Sequence, residues 1–105
     1  MTNVSIDDPE SDYRIIIDSF MKELCTRDDE HNRGVNIHQN LPRNVFNLEA
    51  IRQRVLKAYS IEYILQFLRR HIGETRPNEP FELLDNETNA KLTNTGRAHC
   101  DEYGL

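Results

Sequence analysis

Three segments of the chain place apolar residues at the spacing of an α-helix. The first segment, residues 12–27, carries one apolar stripe that consists of Ile16, Ile17, Phe20, Met21 and Leu24. Ser11 or Asp12 is expected to cap its start, because a short polar side chain accepts a hydrogen bond from a free backbone N–H there. The charged stretch at residues 27–34 is expected to form a loop.

Two further helices are predicted in the middle of the chain. Asn47 is placed to cap a helix over residues 48–58, and Ser60 to cap a helix over residues 61–72 that Gly73 closes. Their apolar faces consist of Leu48, Ile51, Val55 and Ala58 or Tyr59, and of Ile61, Ile64, Leu65, Leu68 and Ile72. One unbroken helix across both segments fits the same period, because neither Gly nor Pro separates them.

Short apolar runs predict strands on either side of these helices. Residues 35–37 alternate apolar and polar positions and are expected to form a very short strand, followed by a turn at residues 40–44. Near the C-terminus, the apolar runs 81–84 and 90–93 enclose the polar cluster 85–89. This pattern predicts a β-hairpin with a longer loop.

The predicted hairpin is followed by Leu-Thr-Asn-Thr-Gly-Arg at residues 92–97. This hexapeptide and the order helix, short strand, helix, helix, two-stranded wing, short C-terminal helix resemble MarR-like regulators and small archaeal winged-helix proteins. The resemblance implies an α+β, mostly helical winged helix-turn-helix domain over residues 11–105. The acidic and polar composition of residues 1–10 predicts a disordered tail before it.

The hexapeptide also has a physical rationale of its own. Leu92 is expected to point into the core from the last strand, and Thr93 to cap the closing helix through its hydroxyl group. Gly96 is expected to allow close packing of the backbone in the first turn of that helix.

The loop of the predicted wing departs from the MarR-like pattern. MarR-like wings carry an Asp-x-Arg whose arginine enters the DNA minor groove, whereas this chain has Asp85-Asn86-Glu87. A carboxylate at Glu87 would be repelled by phosphate. The chain also lacks the long dimerisation helices of that family, so the resemblance implies the winged-helix core without the MarR-like effector pocket or dimer.

Charge is distributed unevenly along the chain, whose net charge is -5. Residues 33–76 carry eight basic and three acidic residues, a net charge of +5. The flanking residues 1–32 and 77–105 carry -6 and -4, respectively. The excess positive charge therefore lies in the middle third, where the two central helices are predicted.

The resemblance and the charge together predict a DNA-binding protein, a transcriptional regulator, in which helix 61–72 enters the major groove of double-stranded DNA. The predicted contacts are Tyr63, Gln66, Arg69 and Arg70 on that helix, Arg52, Gln53 and Lys57 on the preceding helix, and Asn86, Asn89 and Lys91 on the wing. A homodimer through the N-terminal helix is expected, because two symmetric half-sites add affinity.

The alternative prediction is a winged-helix module that binds a protein partner and no DNA. The net charge of -5, the acidic flanks and Glu87 favour it. The same basic residues would then lie on solvated helix faces and pair locally with acidic neighbours such as Glu49 and Glu62.

No motif predicts catalysis, a cofactor or a membrane span. The four histidines and two cysteines lack the spacing of a zinc finger, although Cys25, Cys100 and His99 would come together if the closing helix packed on the first helix. Cys25 and Cys100 are expected to be two reduced thiols of a cytoplasmic protein, because they form no Cys-x-x-Cys pair. The apolar runs are too short to cross a bilayer, and the acidic N-terminus is not a signal peptide.

Overall fold

A computed structural model describes residues 9–32 and 45–103 as an α+β fold, mostly helical, with one small antiparallel sheet. The elements in chain order are α1 (Pro9–Asn32), β1 (Val45–Asn47), α2 (Leu48–Val55), α3 (Ile61–Thr75), β2 (Phe81–Leu84), β3 (Asn89–Leu92), α4 (Asn94–Ala98) and a closing 3₁₀ helix (Cys100–Tyr103). The sheet has the strand order β1–β3–β2. Within the described ranges, no helix has the length and the apolar character that crossing a bilayer requires.

The core lies where α1 contacts α2, α3 and β3. Phe20 of α1, Phe46 of β1 and Phe81 of β2 are fully buried, and the rings of Phe20 and Phe81 meet edge to face at 4.9 Å. Each large side chain buried in this way contributes about 1.5–3 kcal/mol through removal of apolar surface from water. The predicted apolar stripe of the first helix is therefore confirmed as the centre of the core.

Helix α1 is longer than predicted at both ends. Pro9 occupies its first residue, where the missing N–H of proline costs nothing, so Pro9 and Glu10 belong to the helix and not to a tail. The predicted loop after residue 27 is wrong as far as Asn32. Arg27 and Asp28 are buried there and carry charged partners, which lets a charged segment remain helical. The predicted tail over residues 1–8, the strand at 35–37 and the turn at 40–44 lie outside the described residues.

The two central helices are separate. Asn47 caps α2, since its side chain accepts the Ala50 N–H at 2.9 Å, and Ser60 caps α3, since its hydroxyl accepts the Tyr63 N–H at 3.2 Å. Both predicted caps are confirmed, and the single long helix is excluded. Helix α2 ends at Val55, earlier than predicted, because the side chain of Arg52 donates to the Tyr59 carbonyl at 3.1 Å and holds the turn over residues 56–60.

Helix α3 continues beyond Gly73, so the prediction that this glycine closes the helix is wrong. The helix ends at Thr75, directly before the Arg76–Pro77 segment, because proline cannot donate the next helical hydrogen bond.

The predicted hairpin is confirmed, with β2 and β3 paired so that Phe81 lies opposite Leu92 and Leu84 opposite Asn89. Strand β3 also pairs with β1, which the sequence did not predict at residues 45–47. The backbone N–H of Leu48 donates to the carbonyl of Thr88 at 2.9 Å and ties the start of α2 to the hairpin turn.

The predicted roles of the hexapeptide at residues 92–97 are confirmed. Leu92 is fully buried, and the hydroxyl of Thr93 accepts the Gly96 N–H at 3.1 Å and so caps α4. Arg97 donates to both carboxylate oxygens of the buried Asp28, at 2.9 and 3.0 Å, and joins α4 to α1.

The prediction of two reduced thiols is wrong, because Cys25 and Cys100 form a disulfide bond with their Cα atoms 5.6 Å apart. Helix α1 packs on the closing 3₁₀ helix, and this packing brings together two cysteines that are 75 positions apart. The bond removes both sulfurs as metal ligands. The predicted cytoplasmic location had drawn on reduced thiols, and the disulfide bond withdraws that support.

Candidate functional site

Among the residues that the structure describes, one face of α3 is exposed apart from a contact with the hairpin turn. Residues Glu62, Gln66, Arg69 and Gly73 are exposed and follow one another at helical spacing, opposite the buried Ile64 and Leu68. The turn of the β2–β3 hairpin, residues 85–88, lies beside this stripe because Glu87 contacts Arg69. We call Glu62, Gln66, Arg69, Asn86 and Glu87 the α3–hairpin face.

The hairpin turn is built from three consecutive residues in the left-handed region, Asp85, Asn86 and Glu87, with φ angles of 55°, 57° and 67°. Asp85 and Asn86 are of types that tolerate this region, whereas Glu87 is not. The turn is fixed by Thr88, whose hydroxyl donates to the Asp85 carbonyl at 2.6 Å, and by Asn89, whose side-chain amide donates to the Asp85 carboxylate at 2.7 Å. The turn therefore aims the Glu87 side chain in a defined direction.

Arg69 and Glu87 form a two-pronged ion pair across the face. Nε and Nη2 of Arg69 donate to the two carboxylate oxygens of Glu87, at 2.8 and 2.5 Å. The hydrogen bonds from Arg69 hold the pKa of the Glu87 carboxyl below its ordinary value, so Glu87 is ionised at neutral pH. The one arginine on the α3–hairpin face is therefore held by a carboxylate of the same molecule.

Two of the side chains predicted to face DNA from α3 turn towards α1 instead. The hydroxyl of Tyr63 donates to the Asp12 carboxylate at 2.5 Å. Arg70 pairs with Glu10 at 3.0 Å and Glu74 at 2.9 Å, and its guanidinium lies 4.1 Å above the ring of Tyr13. Their predicted outward orientation is thus wrong: both lie on the side of α3 that packs against α1.

The three predicted contacts on the preceding helix have different surroundings. Arg52 is half-buried and pairs with Glu49 at 2.6 Å, while its other contact closes the α2–α3 turn. The hydrogen bonds from Arg52 and then Gln53 lower the pKa of the Glu49 carboxyl to about 2. Gln53 and Lys57 are exposed, so of this set they are the ones open to an external ligand.

The three predicted contacts on the hairpin also separate. Asn86 is exposed in the turn, whereas Asn89 begins β3 and is buried, with its side chain bonded to Asp85 and Asn47. Lys91 is half-buried in the middle strand, opposite Glu82. The structure therefore brings Asn86 to the α3–hairpin face and leaves Asn89 and Lys91 away from it.

The acidic flanks fold onto the basic middle third, which the charge pattern alone did not predict. Five of the six basic residues described between positions 45 and 76 are in ion pairs, and the exception is Lys57. Four of the partners come from outside that third of the chain: Glu10, Glu23, Glu79 and Glu87. Within the described residues 45–76, the basic side chains other than Lys57 are thus not a free cationic surface.

Two open depressions border the hairpin turn. A cleft of about 320 Å³ separates the turn from α2 and α3, and Leu48, Ile61 and Leu65 form its apolar floor. A groove of about 400 Å³ runs between the second half of α3 and β2, and it is lined by Ile72, Leu83 and the charged residues Arg69, Arg76, Glu79, Glu82 and Glu87. The Arg69–Glu87 pair lies at the border of the groove, and Glu87 also lines the cleft.

The predicted dimer helix buries most of its apolar surface within the protomer. Ile16, Phe20 and Leu24 lie in the core, and Ile15, at 47% exposure, is the large apolar residue of α1 that stays exposed. A homodimer through α1 would therefore use Ile15 and polar neighbours.

In the described ranges, no group of three or more His, Cys, Asp and Glu side chains is arranged to hold a metal ion. The sequence matches no known family model, no curated protein and no solved structure.

Proposed function

We propose that the chain is a winged-helix domain that binds double-stranded DNA, with α3 in the major groove and the β2–β3 hairpin as the wing. One observation carries the proposal: α3 follows α2 after a short turn, and among the described residues the outward stripe of α3 is exposed beside a hairpin. A helix of this length fits the major groove when its outer side is free of the rest of the chain.

The side chains available on this surface suit backbone and base contacts. Gln66 is exposed at the centre of the stripe, and a glutamine amide pairs with the edge of adenine. Gln53 and Lys57 are exposed on and just after α2, the position from which a helix-turn-helix contacts phosphate. A transcriptional regulator is the function that this set of contacts supports.

The test is a fluorescence anisotropy titration of a mixed-sequence duplex across a salt series. Arg69→Ala, Gln66→Ala and Lys57→Ala are each expected to weaken binding, and Arg69→Ala and Lys57→Ala to flatten the salt dependence because each removes a phosphate contact. Arg14→Ala is the matched control, since Arg14 is exposed on α1 beside His71 and Tyr103, on the opposite side of α3. Equal loss of binding in Arg14→Ala and Arg69→Ala would contradict the assignment of the face.

A second function, binding of a protein partner, is favoured by the ion pairs that hold five of the six basic residues described between positions 45 and 76. The α3–hairpin face carries two carboxylates, Glu62 and Glu87, and one guanidinium, Arg69. The apolar floor of the adjoining cleft, surrounded by polar groups, has the composition of a protein interface. Absence of DNA binding even at low salt would select this function.

A further inference from the structure

Arg69 is the basic residue of α3 best placed to contact DNA, and its guanidinium is already paired with Glu87. The Arg69 side chain is 53% exposed and the Glu87 side chain 36% exposed, so the pair lies at the surface, open to solvent and to a ligand. A guanidinium binds a carboxylate and a phosphate through the same pair of parallel N–H donors. While Glu87 holds the edge of Arg69 formed by Nε and Nη2, a DNA phosphate cannot bind that same edge.

Glu87 is positioned by the turn and does not meet Arg69 by chance. The turn is tied to α2 through the Leu48 N–H and to β3 through Asn89, and its left-handed backbone continues through Glu87 at φ 67°. A non-glycine residue in this region is strained, and such strain persists where the surrounding structure holds it. The hydrogen bonds of the turn and the ion pair with Arg69 together hold it here.

We propose that Glu87 is a built-in competitor of DNA phosphate for Arg69, so that DNA binding requires the exchange of the Glu87 carboxylate for a phosphate. This proposal rests on the DNA-binding function proposed above. The exchange is feasible because an ion pair exposed to water is weak and is screened by salt. Its cost is the displacement of Glu87 from Arg69 next to a polyanion that repels it. Glu87 therefore lowers the affinity for duplexes in general, although the complex that forms contains the contact between Arg69 and a phosphate.

The decisive variant is Glu87→Gln, which removes the charge and keeps the size of the side chain. The variant is expected to bind a mixed-sequence duplex about threefold or more tightly than the wild type at intermediate salt, because no carboxylate has to leave Arg69 before a phosphate binds. Thermal melts of each variant establish that the fold is retained.

Two variants separate the exchange from a general effect of charge. Glu82→Gln removes a carboxylate from the same hairpin, where Glu82 is exposed on β2 and makes no contact with Arg69 among the described ion pairs. This variant is expected to bind as the wild type does. The double variant Arg69→Ala/Glu87→Gln is expected to bind DNA no more tightly than Arg69→Ala alone, because the guanidinium that Glu87→Gln would release is absent.

The remaining outcomes distinguish failure of the proposed exchange from failure of the DNA-binding function. Equal gains in Glu87→Gln and Glu82→Gln, or persistence of the gain without Arg69, would show a general charge effect and exclude the exchange. A wild type that binds DNA and a Glu87→Gln variant that binds equally well would exclude the exchange and leave the DNA-binding function intact. If neither protein binds the duplex even at low salt, the DNA-binding function itself fails, and the exchange with it.

Discussion

Gly96 of α4 lies directly against the backbone of Pro80, the residue before β2. A Cβ atom at position 96 would be 2.0 Å from the Pro80 carbonyl oxygen and 2.8 Å from Cδ1 of Leu92. No side chain fits this space, and the backbone atoms that fill it cannot rotate away as a flexible side chain could. The short helix after the hairpin is thus seated on the hairpin through the missing side chain of Gly96.

Gly96→Ala is therefore expected to lower the free energy of unfolding by roughly 1–3 kcal/mol, because α4 must shift away from Pro80 to admit a methyl group. Urea unfolding followed by circular dichroism measures the change. Gly73→Ala is the matched control, because a Cβ at Gly73 meets no atom within 4 Å. In the exposed part of α3, alanine is expected to stabilise by about 0.5–1 kcal/mol. If Gly96→Ala had the same midpoint of urea unfolding as the wild type, the close approach of Gly96 to Pro80 would be contradicted.

The disulfide between Cys25 and Cys100 is expected to contribute roughly 2–5 kcal/mol to the free energy of unfolding, because it closes a long loop in the unfolded chain. Reduction of the wild type is expected to lower its stability to that of the Cys25→Ser/Cys100→Ser variant. Urea unfolding with and without a reducing agent gives the difference.

The same bond is checked by counting thiols in the unfolded protein before reduction. We expect none to react in urea alone, since both cysteines are in the bond, and both to react after reduction. Two reactive thiols in the unreduced protein would contradict the disulfide and restore the original prediction of reduced cysteines.

The pair between Asp28 and Arg97 predicts a third effect on stability. The Asp28 side chain is 5% exposed and accepts two hydrogen bonds from Arg97, so Asp28→Asn would leave the guanidinium with a weaker acceptor at a buried site. We expect a loss of about 1–3 kcal/mol in the free energy of unfolding. Glu102→Gln, in an exposed pair with His99, is the comparison and is expected to change stability by less than about 0.5 kcal/mol. Similar losses in the two variants would argue against a special role for the buried pair.

The parts of the fold that local chemistry determines were predicted correctly from the sequence. Asn47, Ser60 and Thr93 each cap a helix, and a cap depends only on a side chain and the N–H groups two or three residues later. The hairpin follows from two apolar runs around a polar turn, which is likewise a local signal. β1 was missed because its two buried residues, Val45 and Phe46, are adjacent, so the segment shows no alternation of apolar and polar positions.

The errors concern residues whose partners lie far along the chain. The charged end of α1 remains helical because Asp28 meets Arg97, a residue 69 positions later. Arg70 turns away from the outward stripe because Glu10, 60 positions earlier, lies beside it. Neither pairing follows from helical periodicity, which describes one helix at a time. The sequence therefore predicted the exposed positions of Gln66 and Arg69 on α3 correctly, whereas the predicted outward orientation of Arg70 is wrong.

His71 predicts a dependence of stability on pH, because its surroundings favour the neutral imidazole. The ring stacks on Phe81 with centroids 5.8 Å apart, and its Nδ1 lies 2.8 Å from the hydroxyl oxygen of Tyr13. Burial lowers the pKa of His71 below the ordinary value, and the nearby Glu74 carboxylate opposes that shift in part. Burial likewise raises the pKa of Tyr13 to about 12, which keeps this neighbour protonated throughout the range in which histidine titrates.

Since the pKa of His71 is lower in the folded than in the unfolded chain, the unfolded chain takes up the proton first as the pH falls. The stabilising contribution is fully present above the unfolded pKa of about 6.5 and is lost as the pH falls from there towards the folded pKa. Urea unfolding at several pH values between about 8 and 5 is expected to give a smaller slope of stability against pH in His71→Gln than in the wild type. Identical slopes in the wild type and His71→Gln would mean that the ring stacked on Phe81 titrates as freely as it does in the unfolded chain.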